Sequence, residues 1–320
     1  MKTITTHAIA SRLVMLIAIA VSSAAHAATW DWVGQYGAAF SNSLHWKDRA
    51  SGLNGLPAFS DDIVFRSSVV FNTGDYFTLG RMDGDALVMR GGLLSHMASS
   101  TTPSTLANLT FEGGILSNAP GTPGHLATQV TNWSGGTFSG GIHEVQGALT
   151  FSGQGSGGSN PLMDYLHTLQ NKATMNWASG DIVVSGGSTI INEGIFNFTS
   201  DGKIKYGRDP SGTLYNKAAG RLAKGAGSAS TINVHLVNEG EIHVAPATQI
   251  DLASHASFLD GTRITGGGSV RVLAGAAFSG QFAAQNALEL NSGVYTGAGV
   301  LGAGEMRWSG GSFSNLPGEG

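Results

Sequence analysis

The chain has 320 residues, of which 48 are glycine, 12% are charged and none is cysteine, and its formal net charge is −4. A hydrophobic content of 41% is enough for a packed core and excludes a disordered tract, while eight prolines without a Gly-X-Y period exclude collagen. The few Lys and Arg residues are scattered, so nucleic acid and an anionic membrane surface are excluded as expected partners.

Residues 1–27 predict a secretory signal peptide. Lys2 and Arg12 form its basic region, Leu13 to Val21 form its apolar region, and Ala25-His26-Ala27 fits the small-x-small cleavage rule. A membrane-spanning helix needs about 20 apolar residues, and no stretch of the chain reaches that length. We therefore expect an exported protein, extracellular or on the cell surface or outer membrane, without a membrane span after cleavage.

Residues 28–80 predict a capping segment at the N-terminal end of a repeat domain. Trp30, Trp32 and Trp46 crowd its start, and the pair Asp61-Asp62 precedes the apolar run 63–65. A stack of coils needs a cap because its terminal coil otherwise presents unpaired backbone groups. We expect the aromatic side chains to cover the core of the first coil.

Residues 81–320 predict a β-solenoid repeat domain, because a motif recurs there every 22 residues. Its first three copies begin at Met89, Phe111 and Trp133, and each carries a Gly-Gly pair two residues later. A fixed period of this length is typical of a stacked solenoid. Apolar residues also alternate with polar ones, as at Leu109 and Phe111, which indicates strands with one buried face.

These patterns predict an all-β fold, a right-handed parallel β-helix with ~22-residue rungs. The hand rests on the general preference for right-handed crossovers. The stretch Pro161–Leu169 is an exception, since its apolar residues have helical spacing, and we expect a helix of one or two turns there. The segment 313–318 resembles 116–121, which leads into a further coil. We therefore expect the repeat domain to be truncated at its C-terminus.

A series of asparagines predicts how the later coils stack. Asn171, Asn192, Asn216 and Asn238 follow one another at spacings of 21, 24 and 22 residues. Asparagines at one corner of successive coils form a ladder of amide hydrogen bonds, although ligand contact is the functional alternative. Segments 46 residues apart should lie two coils apart, which predicts stacking of four pairs: Phe196 with Ile242, Phe198 with Val244, Ile204 with Ile250 and Tyr206 with Leu252.

The sequence resembles passengers of autotransporter-type and haemagglutinin-like adhesins, which are bacterial exported repeat proteins. The resemblance rests on the Trp-rich start (29–34, 44–46), on Trp-Ser-Gly-Gly motifs at 133–136 and 308–311, and on Asn-Glu-Gly at 192–194 and 238–240. It implies a cell-surface or secreted β-helix that adheres or scaffolds. Its partners would be glycans, host or neighbouring cell surfaces, or further copies of itself.

The acidic residues suggest no clear catalytic site. A glycosidase needs two carboxyl groups about 5–9.5 Å apart, whereas Glu193 and Glu239 occupy equivalent corners two coils apart. The aspartates Asp181, Asp201, Asp251 and Asp260 do not share one register. Two further acidic segments, Asp61-Asp62 and Asp83-Gly84-Asp85, are candidates for a calcium ion, but neither belongs to a calcium-binding repeat or an EF-hand loop.

The histidines suggest no metal site either. No His pair has zinc-ligand spacing; His243 and His255 stand twelve residues apart, and His143 lies on an alternating strand and is expected to point outward. We therefore assign no catalytic, cofactor-binding or metal-binding residue and expect no enzyme and no cofactor. The expected function is a non-catalytic adhesin or passenger-type module; the alternative is a carbohydrate-active β-helix enzyme, a polysaccharide lyase or glycoside hydrolase.

Overall fold

The computed structural model describes residues 27–99, 101–118, 124–153 and 160–314, and these form an all-β coil. The backbone winds through about 11 turns of ~21 residues each; one turn is called a coil below. The predicted parallel β-solenoid is confirmed, and its right-handed sense stays a prediction. The predicted signal peptide, apart from Ala27, and most of the incomplete repeat at 313–318 lie outside the described residues.

The capping segment packs its aromatic rings against the first long strand. It contains β1 (Thr29–Trp32), β2 (Ala38–Ala39), a 3-10 helix (Ser43–His45), β3 (Trp46–Asp48), β4 (Asp62–Phe71) and β5 (Tyr76–Leu79). β1 pairs antiparallel with β3 but parallel with β4. Trp46 is fully buried, and its ring centroid lies 4.8 Å from those of Trp32 and Phe40.

The next coils are built from long strands with bulges. They are β6 (Met82–His96), β7 (Ser104–Asn118), β8 (His125–Trp133), β9 (Thr137–Ser139) and β10 (Ile142–Phe151). Met89 pairs with Phe111, and Phe111 pairs with Trp133. The three copies of the 22-residue motif therefore stack in register, as predicted.

The Gly-Gly pairs of this motif stand where successive coils approach each other closely. Gly114 has φ +86°, and a Cβ there would lie 2.5 Å from a backbone carbon of Gly91. Gly136 has φ +87°, and its Cβ would lie 2.6 Å from the Phe111 ring. A side chain is excluded at both positions by conformation and by space, so the repeated glycines are a requirement of stacking.

Most of the later coils contain three short strands each, and the last ones contain two longer strands. In chain order these are β11 (Leu162–Asp164), β12 (Thr168–Asn171), β13 (Thr174–Trp177), β14 (Ile182–Val184), β15 (Thr189–Asn192), β16 (Ile195–Phe198), β17 (Lys203–Tyr206), β18 (Thr213–Asn216), β19 (Arg221–Lys224), β20 (Ala229–Asn233) and β21 (His235–Asn238). They continue with β22 (Glu241–Val244), β23 (Gln249–Leu252), β24 (Ala256–Phe258), β25 (Arg263–Gly266), β26 (Ser269–Val272), β27 (Ala276–Phe278), β28 (Gln281–Leu290), β29 (Val294–Thr296), β30 (Val300–Trp308) and β31 (Ser312–Phe313).

Stacked apolar side chains form the core of these coils. In one inward column each residue pairs with the next and all are at most 1% exposed: Leu169, Ile190, Leu214, Leu236, Ala256 and Ala276. The outward residues between them are polar or half-buried. Each coil therefore buries its apolar face only against its neighbours, as expected of a solenoid.

The predicted asparagine ladder is confirmed. Asn171, Asn192, Asn216 and Asn238 are fully buried, and each side-chain Nδ2 donates to the Oδ1 of the next asparagine at 2.7 Å. The ladder ends where Asn238 donates to the Thr262 hydroxyl at 3.1 Å. The ligand-contact alternative has no support here, because the amides are enclosed in the core.

The helix predicted at Pro161–Leu169 is wrong. Leu162 pairs with Thr137 on one side and with Val183 on the other, so neighbouring strands already supply backbone partners that a helix would lose. Tyr165 and Leu166 instead form a turn with positive φ and are 70% and 73% exposed. The helical spacing of the apolar residues arises from two strands separated by this turn.

Two of the four predicted stacking pairs are also wrong. Phe196 and Phe198 do align with Ile242 and Val244 through Leu222 and Lys224. Ile204, however, pairs with Ile232, which pairs with Leu252, so the predicted partners Ile250 and Leu252 are displaced by two residues. The cause is a corner that is longer by two residues before the aligned part of β20.

Candidate functional site

A column of alternating charge runs along one outer face of the last coils. Asp251, Arg271, Glu289 and Arg307 pair successively across β23, β26, β28 and β30. The first three each precede a buried apolar residue, so strand alternation directs the charged side chains outward. We call these four residues the charged column; neighbours in it lie about 4.8 Å apart along the stack.

Ion pairs hold the side chains of the column in place. Arg271 donates two hydrogen bonds to Asp251, at 2.8 and 2.9 Å, which is the bidentate geometry of strong arginine–carboxylate pairs. Arg307 donates to Glu305 at 2.7 Å, and this hydrogen bond lowers the pKa of the Glu305 carboxyl group. Glu289 lies between Arg271 and Arg307 and attracts both. The column therefore carries no net charge.

A groove of about 660 Å³ opens beside the charged column. Small residues of the corner make room for it, and its functional groups are amides, hydroxyls and charged groups from four successive coils: Gln249, Ser269, Gln285, Glu289, Glu305 and Arg307. We call it the C-terminal groove. Its hydrogen-bond donors and acceptors are mixed, and its charged side chains are two glutamates and one arginine.

This lining suits a neutral ligand with many hydroxyl groups. Each hydroxyl group of a sugar both donates and accepts hydrogen bonds. The amides, carboxylates and guanidinium group of the groove together supply both kinds of partner. Catalysis makes a stricter demand, because the general acid of a glycosidase needs a carboxyl group whose pKa is raised. Arg307 shifts the pKa of Glu305 in the opposite direction, so Glu305 is poorly suited to that role.

Sequence reasoning missed Glu289, Glu305 and Arg307. The available signal was a charged residue before an apolar one, recurring at 251, 271, 289 and 307 with spacings of 20, 18 and 18 residues. These spacings are shorter than the 22-residue period, so a search at a fixed period does not reveal them.

A second charged stripe follows the asparagine ladder. The residues directly after the ladder asparagines alternate in charge: Lys172, Glu193, Lys217 and Glu239. They line a shallow depression of about 490 Å³. Glu193 and Glu239 are separated by the coil of Lys217, as predicted. Glu239 accepts a hydrogen bond from the Tyr215 hydroxyl, and Glu193 accepts one from Gln170 at 3.1 Å.

The four aspartates considered from the sequence have structural partners. Asp251 belongs to the charged column. The four aspartates do not all share one register, in agreement with the sequence, although the pairings Ile182–Ile204, Lys203–Thr231 and Thr231–Asp251 place Asp181 and Asp251 in the same column, three coils apart. The partners of the others are as follows: Lys203 N and Lys205 for Asp181, Lys224 and Ser228 for Asp201, and Gln281 N for Asp260.

The two calcium candidates are occupied by protein donors. Asp61 accepts from the Trp30 indole at 2.8 Å and from two backbone N–H groups, so it fastens the capping segment. Asp62 accepts from the backbone of Arg81 at 2.6 Å. Asp83 accepts from Arg66 at 3.0 Å, and Arg66 also approaches Asp85 at 3.9 Å.

The expectation that His143 points outward is wrong. Its side chain is fully buried in a column between Leu126 and Leu169, and the Thr128 hydroxyl lies 2.9 Å from its Nε2. A polar ring is tolerated inside because a hydroxyl of the neighbouring coil satisfies one nitrogen. Of the other histidines, His243 bonds with the Thr265 hydroxyl, and His255 lies with its ring 5.5 Å from that of His235.

The described ranges contain neither a metal-binding cluster nor a membrane-spanning helix. They hold no group of three or more His, Cys, Asp or Glu side chains arranged to bind a metal ion. None of their helices has the length and apolarity to cross a bilayer. No protein family, curated protein or solved structure matches the chain.

Proposed function

We propose that this chain is a non-catalytic, exported β-solenoid of a bacterial cell surface, an adhesin or passenger-type module that binds neutral oligosaccharides in its C-terminal groove. The observation that carries the proposal is the groove itself, which presents amide, hydroxyl, carboxylate and guanidinium groups from four successive coils. The signal-like residues 1–27 support export. The sequence resemblance to autotransporter passengers supports a bacterial surface role.

The repetitive outer surface supports binding of an extended ligand. Coils repeat about every 4.8 Å along the stack, so the groove presents successive polar groups along a chain-like partner. Each contact is weak. A protein–ligand hydrogen bond replaces a hydrogen bond to water, so its net contribution to the binding free energy is only about 0.5–1.5 kcal/mol. Several together give the reversible, multivalent contact that adhesion requires.

The experiment is a glycan-array screen with residues 28–320, followed by titration of the best neutral ligand. The groove variant is Glu289→Gln, which keeps the shape but removes the charge. The matched control is Glu193→Gln in the charged stripe after the asparagine ladder. We expect Glu289→Gln to weaken binding about tenfold, equal to about 1.4 kcal/mol, and Glu193→Gln to leave the affinity unchanged. Equal affinity of both variants and the wild type contradicts the assignment of the groove.

The alternative function is hydrolysis or elimination on a polysaccharide. One observation favours it, because Glu289, Glu305 and Arg307 share one groove. The lowered pKa of Glu305 argues against that group as a proton donor. Incubation of the ligands found on the array with the protein distinguishes the two functions. Binding without new reducing or unsaturated ends is expected, and the appearance of such ends that depends on Glu289 or Glu305 identifies an enzyme.

A further inference from the structure

Three histidines meet inside the N-terminal half of the solenoid. His96 ends β6, His143 lies on β10, and His167 immediately precedes β12. Each is at most 3% exposed, and all three line one internal cavity of about 10 Å³. The ring of Phe138 lies 4.7 Å from that of His143 and 5.0 Å from that of His167. These histidines, here called the histidine cluster, are packed as part of the core.

Hydrogen bonds fix which nitrogen of His167 carries the proton. Its Nδ1 lies 2.6 Å from the backbone oxygen of Gly140. A carbonyl oxygen only accepts, so Nδ1 donates, and Nε2 of the neutral ring carries no hydrogen. This Nε2 is buried and has no hydrogen-bond partner in the described part of the chain. A second proton, on Nε2, would therefore create a charged ring with a buried N–H group that has no acceptor.

His143 has the same arrangement. Its Nε2 is bonded with the Thr128 hydroxyl at 2.9 Å, and its Nδ1 is buried without a partner among the described residues. Protonation of this ring also leaves one donor unsatisfied. The surroundings of His143 and His167 therefore accommodate neutral rings and disfavour protonated ones.

Charged groups outside the cluster do not compensate a proton inside it. On the neighbouring strands these groups are His125 on β8, Glu144 on β10, Asp164 on β11 and Lys172 after β12. Glu144 is engaged by Lys172 at 2.9 Å and approaches His125 at 3.6 Å, and Asp164 accepts from the Tyr165 backbone. The described residues that line the cavity include no carboxylate. Burial lowers the pKa of His96 and of His167 to about 4, and that of His143 also falls.

We propose that the histidine cluster is an acid-sensitive switch, which keeps the coils between Met82 and Asn171 closed at neutral pH and opens them in mildly acidic solution while the later coils stay folded. The open coils bind the protons that the closed coils exclude. As the pH falls, the equilibrium constant for opening therefore rises by up to about tenfold per pH unit for each histidine. Opening stays local because each coil depends only on its neighbours. The proposal is independent of the C-terminal groove.

The test is hydrogen exchange measured by mass spectrometry on residues 28–320 at pH 7.5 and pH 4.5, corrected for intrinsic exchange rates. Between pH 7.5 and pH 4.5, we expect the protection factors of peptides from 82–171 to fall at least tenfold more than those of peptides from 189–290. Equal loss in both regions, or no loss in 82–171, overturns the proposal.

A double variant tests whether the histidines cause the opening. His143→Leu extends the column of Leu126 and Leu169, and His167→Gln keeps a donor for Gly140. We expect this variant to open at a pH at least one unit lower than the wild type. The control His235→Gln, in a later coil, should open with the wild type. An unchanged midpoint in the double variant refutes the proposal.

A measurement on the wild type covers the case in which the double variant fails to fold. The ring nitrogens of the histidines are followed by NMR from pH 8 to pH 4. Three rings that stay neutral until 82–171 opens support the proposal. Normal titration of His96, His143 and His167 near pH 6.5 in the closed protein overturns it.

Discussion

Replacement of one ladder asparagine should cost much more stability than replacement of an outward asparagine. Asn192 accepts from Asn171 and donates to Asn216, both at 2.7 Å, and it also donates to the Gly194 backbone oxygen at 3.1 Å. Asn192→Ala leaves the Asn216 oxygen and the backbone oxygen short of a donor in the core. Each buried group without a partner costs about 1–3 kcal/mol, so we expect the two groups together to cost about 2–6 kcal/mol in the free energy of unfolding.

The matched control is Asn197→Ala. Asn197 stands on the next strand and donates to Asn176 at 2.9 Å, but both side chains are half-exposed, so water replaces the lost bond. We expect a loss below about 1 kcal/mol. The assay is urea unfolding followed by circular dichroism. If the two variants lose the same free energy within 0.5 kcal/mol, about the error of such comparisons, the ladder does not stabilise the stack as argued.

Three further perturbations test stacking, a buried lysine and pH dependence. Gly114→Ala should lower the melting temperature far more than Gly37→Ala. Both glycines have positive φ, but only at Gly114 would the new Cβ clash with the backbone of the neighbouring coil. Lys224 is fully buried and donates to Asp201 and a backbone oxygen. Lys224→Met fills the same space but removes these hydrogen bonds and should cost about 1–3 kcal/mol in the free energy of unfolding, whereas Lys224→Ala also leaves a cavity and should cost about 2–5 kcal/mol more. The pKa of His96 and of His167 is lowered to about 4, so the unfolded chain binds more protons. The stability present above pH 6.5 should therefore fall between pH 6.5 and 4 by about 3 kcal/mol per histidine, as urea unfolding at several pH values will show; constant stability across this range contradicts the pKa direction.

Local periodicity was sufficient to predict the fold. The glycine pairs at a spacing of 22 and the four asparagines indicate stacking directly. Equivalent corners of successive coils lie above one another, so a residue type that the corner requires recurs once in each coil. Leu109 and Phe111 also followed simple alternation. These signals are short in range and do not depend on the length of the corners between strands.

Register across corners could not be predicted in the same way. Two additional residues before the aligned part of β20 displaced Ile204 from its expected partner, and coils of 18–20 residues concealed the charged column from a search at 22. His143 shows a second cause of error. A histidine is tolerated inside only where a hydroxyl of another coil meets it, and Thr128 lies 15 residues away. The turn at Tyr165 depends in the same way on strands from two other coils.

The central functional claim is that a neutral oligosaccharide occupies the C-terminal groove. The most direct measurement is hydrogen exchange of the same chain with and without the best ligand from the array, at pH 7.5 and saturating concentration. We predict slower exchange in the segments that line the groove, 249–251, 269–271, 285–289 and 305–307, and unchanged exchange at the corner that carries Lys172, Glu193, Lys217 and Glu239. Protection of that corner instead, or no protection of the groove at saturation, would contradict the claim.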